Sequence, residues 1–162
     1  DLFFNKLEIL FPHVEILSNY NFNLQKNFQY INQTSELSFL FAVNDLLPPS
    51  NSKDPDFDEI CFAYFLGICP MFSLDLTREL ESRHTRYLAQ YSYSENLPKG
   101  IVPYFLSREF VNSLPDNLPT TAHDYLIKNL NNYDTEIFFK EPDLRQFRLD
   151  FSLSDFRSLK LS

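Results

Sequence analysis

SLDLTRELESRHTRYLAQY, residues 73–91, decides the fold class, because it carries the strongest helical signal in the chain. Leu76, Leu80, His84, Tyr87, Leu88 and Tyr91 share one helical face, while Arg78, Glu79, Glu81, Arg83 and Arg86 lie mostly elsewhere. Ser73 stands where an N-cap is needed. Reading downstream, Pro103 is expected to open a second helix through about Leu114, closed by Pro115-Asp116-Asn117. Thr120 or Thr121 caps a third, AHDYLIKNLNN, to about Asn132. The period then changes. EIFFK, residues 136–140, reads as a strand. After a polar turn at Pro142-Asp143, the residues Phe147, Leu149, Phe151 and Leu153 alternate with Arg148, Asp150 and Ser152, as in a strand with one buried face.

Upstream lies the longest uncharged stretch, Ile60–Leu74 (ICFAYFLGICPMFSL). It is too short to span a bilayer, and Gly67 and Pro70 interrupt it, so it is expected to be a buried segment, or a buried segment with one face offered to a partner. Asp54-Pro55 before it has the form of a helix start, Asp54 as N-cap and Pro55 at the first helical position. PPSNSK, residues 48–53, reads as a linker. In the first 47 residues, Phe3, Leu7 and Leu10 predict a helix to about Leu10, HVEIL fits helix or strand, and residues 18–23 are turn-like. Phe28–Ile31 is β-prone; Leu37–Val43 fits a strand or a helix capped by Thr34 or Ser35. The expected fold is therefore α+β and helix-rich. It has an N-terminal α/β segment (1–47), a linker (48–53) and a helical part ending in a β-hairpin (54–162), packed as one unit. Three helices followed by a hairpin, across residues 73–153, resembles the winged-helix module in element order. The third helix, with one Lys and no Arg, suits protein contacts better than a major groove.

Composition narrows the function. A chain of 162 residues with 44% hydrophobic residues, 18 Phe and 9 Tyr can bury a core without disulfide or metal. The net charge of −8 is spread along the chain. Arg145, Arg148, Arg157 and Lys160 form the best basic patch, but Glu141, Asp143, Asp150 and Asp155 interleave with them, which disfavours direct nucleic-acid binding. Cys61 and Cys69 have no zinc-site spacing and read as buried free thiols in a reducing compartment; the sequon Asn32-Gln33-Thr34 is the one hint of secretion. The sequence begins at Asp1 and not at Met, the expectation for an excised fragment whose targeting segments could lie outside it.

Glycine is scarce: Gly67 and Gly100 are the two in the chain. Phosphate-cradling loops place backbone amides against a phosphate and need several glycines, so nucleotide-binding loops of that kind are excluded. Asp54, Asp56 and Asp58 have the spacing of half a calcium loop, but Glu59 stands where Gly is required and Phe65 where Glu is required. His84, the pair His123-Asp124 and a later Asp resemble the ligand pattern of metal-dependent HD-type phosphohydrolases. That resemblance implies imidazoles and carboxylates converging on a divalent metal that activates water. The pair follows Thr-Thr-Ala at a helix start, where Asp124 also complements the dipole. His13 has no evident partner, and neither cysteine has a base nearby in sequence.

With no catalytic constellation in view and aromatic content beyond catalytic need, the expectation is a non-enzymatic protein-interaction domain. It would be a subunit or scaffold of a larger intracellular assembly, in cytoplasm or nucleus, without cofactor, metal or membrane. Phe138, Tyr91, Tyr93 and Phe72 are the candidate partner-binding residues. The alternatives are an HD-type phosphohydrolase and a winged-helix-like domain associated with nucleic acid.

Overall fold

A computed structural model describes residues 2–10, 16–18, 28–30, 35–46, 61–118 and 120–152. Among the described residues the fold is α+β, with five helices and a four-stranded mixed sheet. The helices are α1 (Leu2–Leu10), α2 (Glu36–Leu46), α3 (Leu74–Arg86), α4 (Arg108–Ser113) and α5 (Ala122–Lys128). Strands β1 (Ile16–Ser18) and β2 (Phe28–Tyr30) make a small parallel pair. Strands β3 (Cys61–Tyr64), β4 (Tyr91–Ser94), β5 (Tyr104–Ser107) and β6 (Thr135–Phe138) form the main sheet in the order β3-β5-β4-β6. β5 runs antiparallel to both its neighbours, and β4 pairs parallel with β6.

The registers sort the sheet into two faces. Phe62, Tyr64, Tyr104, Leu106, Tyr91 and Tyr93 meet α2, α4 and α5, which contribute Leu40, Phe110, Val111 and Leu126. Cys61, Ala63, Phe105 and Phe138 meet Leu76 and Leu80 of α3 on the other side. Helices thus cover both faces. Phe3 and Leu7 of α1 close a third cluster over Phe65, Cys69 and Phe72, with the three phenylalanines edge to face at 5.4–5.5 Å. Each such buried ring contributes about 2–3 kcal/mol through burial.

Local chemistry sets the helix starts. Ser73, Ser107 and Thr121 each accept a hydrogen bond from a first-turn amide, those of Leu76, Phe110 and Asp124. Ser35 does the same for Ser38 at 3.1 Å, which decides Leu37–Val43 in favour of helix, with Ser35 as its cap. Such caps are worth about 1 kcal/mol each.

Four sequence expectations are corrected. First, the apolar run does not open as a helix: Cys61–Tyr64 is a strand, paired residue for residue with β5, and both its faces are covered, which erases the alternation a half-buried strand would show. Second, α3 stops at Arg86 and Tyr91 begins β4; Leu88 takes a left-handed φ of 50° and ends the helix, leaving Tyr87 and Leu88 exposed. Third, Pro103 precedes a strand, and the helix begins only at Arg108. Fourth, there is no C-terminal hairpin among the described residues. β6 pairs with β4, Arg145–Phe147 is a 3-10 turn, and Arg148 takes a left-handed φ of 47° that breaks the extended run. One isolated bridge, Lys99 to Asp150, is what remains of the second strand. The order from α3 is therefore helix, two strands, two helices and a strand, which is not the winged-helix order. The linker 48–53 and the Asp54-Pro55 cap lie outside the described residues. Among those residues no helix is long and apolar enough to cross a membrane.

Candidate functional site

Strands β3, β4 and β6 all end at one edge of the sheet, where β5 begins: Tyr64 pairs with Tyr104, and Ser94 with Phe138. In open α/β sheets the crevice beyond the carboxyl ends of the strands is the usual ligand site, and here the sheet's one parallel pair, β4–β6, ends at this edge. Two segments are laced together there. After β4 the chain turns, and Ser94 Oγ accepts the Leu97 amide at 3.2 Å. The buried Asn96 then holds the chain that follows β6: its carboxamide bonds both the N–H and the C=O of Lys140, and its backbone carbonyl accepts the Leu144 amide at 3.1 Å. Farther along, the Phe151 amide donates to the Lys99 carbonyl at 2.8 Å, and Gly100, at φ 85°, lies directly under the Phe151–Ser152 backbone.

Between this lacing and α5 opens a groove of about 270 Å³. Its aromatic wall is Tyr93, Tyr104 and His123: His123 stacks on Tyr104 at 5.1 Å and meets Tyr93 edge-on at 4.9 Å. Its apolar side is Ile127, Leu144 and Leu149. Lys99, Arg145 and Arg148 supply cations, and Glu95 a carboxylate. A smaller pocket beside it, about 40 Å³, lies against Tyr64, Cys69 and Ser152 and has room for a few waters at most.

The electrostatics are asymmetric. Arg145 is already engaged, donating to Asp143 at 2.6 Å and to Glu95 at 3.0 Å, with its guanidinium 5.8 Å from the Phe139 ring centroid. Lys99 and Arg148 form no ion pair with another described residue. Burial depresses the His123 pKa and Lys99 lowers it further, against Asp124, so the ring is neutral at pH 7. Beneath it, burial raises the pKa of Glu36, which accepts the Ala122 amide of α5 at 3.4 Å and a bond from Tyr64. Burial first, then Glu36, pushes Tyr104 up to about 12. These phenols and this imidazole are uncharged hydrogen-bonding surface.

The four residues expected to meet a partner are all covered by this chain itself. Phe138 and Phe72 are fully buried, Phe138 under α3 and Phe72 under α1; Tyr91 and Tyr93 lie under α5. EIFFK is a strand, as expected, through Phe138. Phe138 points to the core, whereas Ile137 and Phe139 are 41% and 48% exposed. Of the four, only Tyr93 borders the groove.

His84 and His123 lie on opposite faces of the sheet. His84 packs on Phe105 with Nδ1 2.7 Å from Ser92 Oγ, while His123 packs on Tyr104, the neighbour of Phe105 along β5. They cannot share one metal ion, and among the described residues no group of three His, Cys, Asp or Glu could hold one. Burial lowers the His84 pKa to about 4, and Asp124 is an exposed first-turn residue of α5. Neither Cys61 nor Cys69 is in a disulfide, and burial pushes the Cys69 thiol up to about 12, far from a nucleophile. Asp54, Asp56 and Asp58, and also Arg157 and Lys160, lie outside the described residues.

Sequence reasoning did not mark Lys99, Ile127 or Leu144 as site residues, and it placed Leu149 on the buried face of a strand. The available signal was the Leu-Pro-Lys-Gly turn at 97–100, which marks where a β4–β5 loop must reverse. Comparison with family models, with curated proteins and with solved structures finds no match for this chain.

Proposed function

We propose that this chain is a non-catalytic protein-interaction domain, a subunit or scaffold of a larger intracellular assembly. The observation that carries this reading is where the exposed apolar side chains fall. Half of the large ones among the described residues, Ile127, Ile137, Phe139, Phe147 and Leu149, belong to α5, β6 and the segment after β6. Tyr93, in the groove wall, pairs with Ile137, so the exposed edge strand continues from the groove. β6 is also an edge of the sheet, and an open edge with apolar side chains on its outer face is a docking surface or an aggregation hazard. The four residues first expected to form the interface give way to their exposed neighbours.

Direct nucleic-acid binding is not favoured: three cations in one groove, one of them already paired twice, fall short of the several phosphate contacts such binding draws on. The test is affinity capture with the wild-type chain and with the pair Ile137→Asp and Phe139→Asp. The same companion proteins should be recovered by the first and lost by the second. A folded, monodisperse double variant that retains every companion would remove the interface.

A further inference from the structure

We propose that the groove between α5, β4 and residues 144–149 binds a short acidic peptide segment of the partner protein. A partner carboxylate meets Arg148 and Lys99, and an adjoining apolar side chain rests on Ile127 and Leu149. The inference rests on the interaction reading above and adds the chemistry of the occupant.

Charge complementarity is the first argument. The protein carries −8 overall, yet Lys99 and Arg148 stand at one groove with no carboxylate partner among the described residues. Arg145 in the same groove is ion-paired to Asp143 and Glu95, and outside it Arg83 and Lys140 are paired as well. Unpaired cations beside exposed apolar surface attract an anion that also carries apolar groups, which is the character of an acidic, hydrophobic peptide.

Shape is the second. A volume of about 270 Å³ suits one or two side chains of a peptide lying across the surface. The wall supplies what such a peptide uses: aromatic faces from Tyr93 and Tyr104, and a neutral His123 that can share a hydrogen bond without adding charge. The third argument separates a carboxylate from a free phosphate. Phosphate cradles are built from converging backbone amides, but no glycine lines this groove, and the nearby Gly100 is occupied by its contact with the Phe151–Ser152 backbone. Long side-chain cations on a rim, with apolar surface between them, suit a mixed peptide.

The groove is also preorganised. Arg145 is fixed by Asp143 and Glu95, and the turn it opens, Arg145–Phe147, sets the left-handed Arg148 at the rim. Arg145 is thus a positioning residue, and Arg148 and Lys99 are the contacts.

The test is fluorescence anisotropy with a labelled seven-residue peptide, Glu-Leu-Asp-Phe-Glu-Ile-Asp, and its neutral counterpart, Gln-Leu-Asn-Phe-Gln-Ile-Asn. The acidic peptide should bind, weaken as salt is raised, and lose about tenfold in affinity with Lys99→Glu or Arg148→Glu, both exposed positions whose change leaves the fold intact. The neutral peptide should bind at least about tenfold more weakly. Equal binding of both peptides, weakened by Ile137→Asp, would overturn the acidic occupant while leaving the interaction reading standing. Displacement by inorganic phosphate as effective as by unlabelled peptide would reassign the groove to a small anion and overturn the proposal. Binding of neither peptide overturns it as well, and the capture experiment above then judges the interaction reading by itself.

Discussion

Gly100→Ala tests the lacing that closes the carboxyl edge of the sheet. A Cβ at this position would stand 2.8 Å from both the Phe151 carbonyl carbon and the Ser152 nitrogen. Both are backbone atoms, so no side-chain rotation relieves the contact. The φ of 85° adds the cost of a left-handed conformation for an L residue, about 1–2 kcal/mol. If the 150–152 segment moves away instead, the Phe151 amide loses its 2.8 Å bond to Lys99, worth about 1 kcal/mol, and the half-buried Phe151 side chain and buried Ser152 are opened to water. The two effects together predict a loss of about 3 kcal/mol. For a chain of this size that lowers Tm by roughly 6–12 °C. Urea denaturation of the two proteins measures the difference, and the slope with denaturant should fall if the segment is already detached in the folded variant. A loss under about 0.5 kcal/mol, the range of an ordinary surface change, would refute the close approach.

The phase of β6 predicts opposite outcomes for adjacent residues: Phe138→Ala should cost about 3–5 kcal/mol by opening a cavity beneath α3, whereas Phe139→Ala should cost under about 0.5 kcal/mol. Equal losses in thermal denaturation would mean the faces are assigned wrongly. His84 predicts a pH dependence. Its folded pKa of about 4 lies below the unfolded 6.5, so the unfolded chain takes up a proton first, and stability is lost as pH falls from about 6.5 to 4. The full effect is about 3 kcal/mol, levelling off below pH 4. His123 acts in the same sense and Glu36 in the opposite one, so the measurement is the difference between wild type and His84→Gln, which should shrink as the pH is lowered through that window. A difference independent of pH would contradict a buried neutral ring.

How much of this was legible in the sequence depends on how local the deciding force is. The helix starts at Ser73 and Thr121 were readable, because a capping side chain bonds an amide two or three residues away. The end of α3 was not. Tyr87, Leu88 and Tyr91 continue its apolar period by coincidence, and the break comes from Leu88 turning left-handed so that Tyr91 can pair with Leu106 and Thr135. Strands β3 and β5 were missed for a related reason: covered on both faces, they show continuous apolar runs that periodicity alone cannot assign. EIFFK gave its period but not its phase, since which face is buried depends on α3 lying beneath it. The groove was least legible. Its cations stand at 99, 145 and 148, and the long-range pairings, β4 with β6, Asn96 with Lys140 and Leu144, and Lys99 with Phe151, bring those stretches together.

The same lacing separates folding from recognition at this edge. Asn96, Gly100 and Arg145 spend their hydrogen bonds and close contacts on holding residues 140–152 across the strand ends. Lys99 contributes its carbonyl to that lacing while its ammonium has no ion pair among the described residues, and Arg148 gives its backbone to the turn while its guanidinium likewise has none among them. A residue whose main chain is structural and whose side chain is uncommitted can be changed in charge without changing the fold. Gly100→Ala should therefore disturb stability and peptide binding together, because the groove wall moves with the segment. Arg148→Glu should disturb binding alone. If Arg148→Glu instead lowered Tm as far as Gly100→Ala does, the guanidinium would be part of the scaffold, and the groove would have no free cation there to offer a partner.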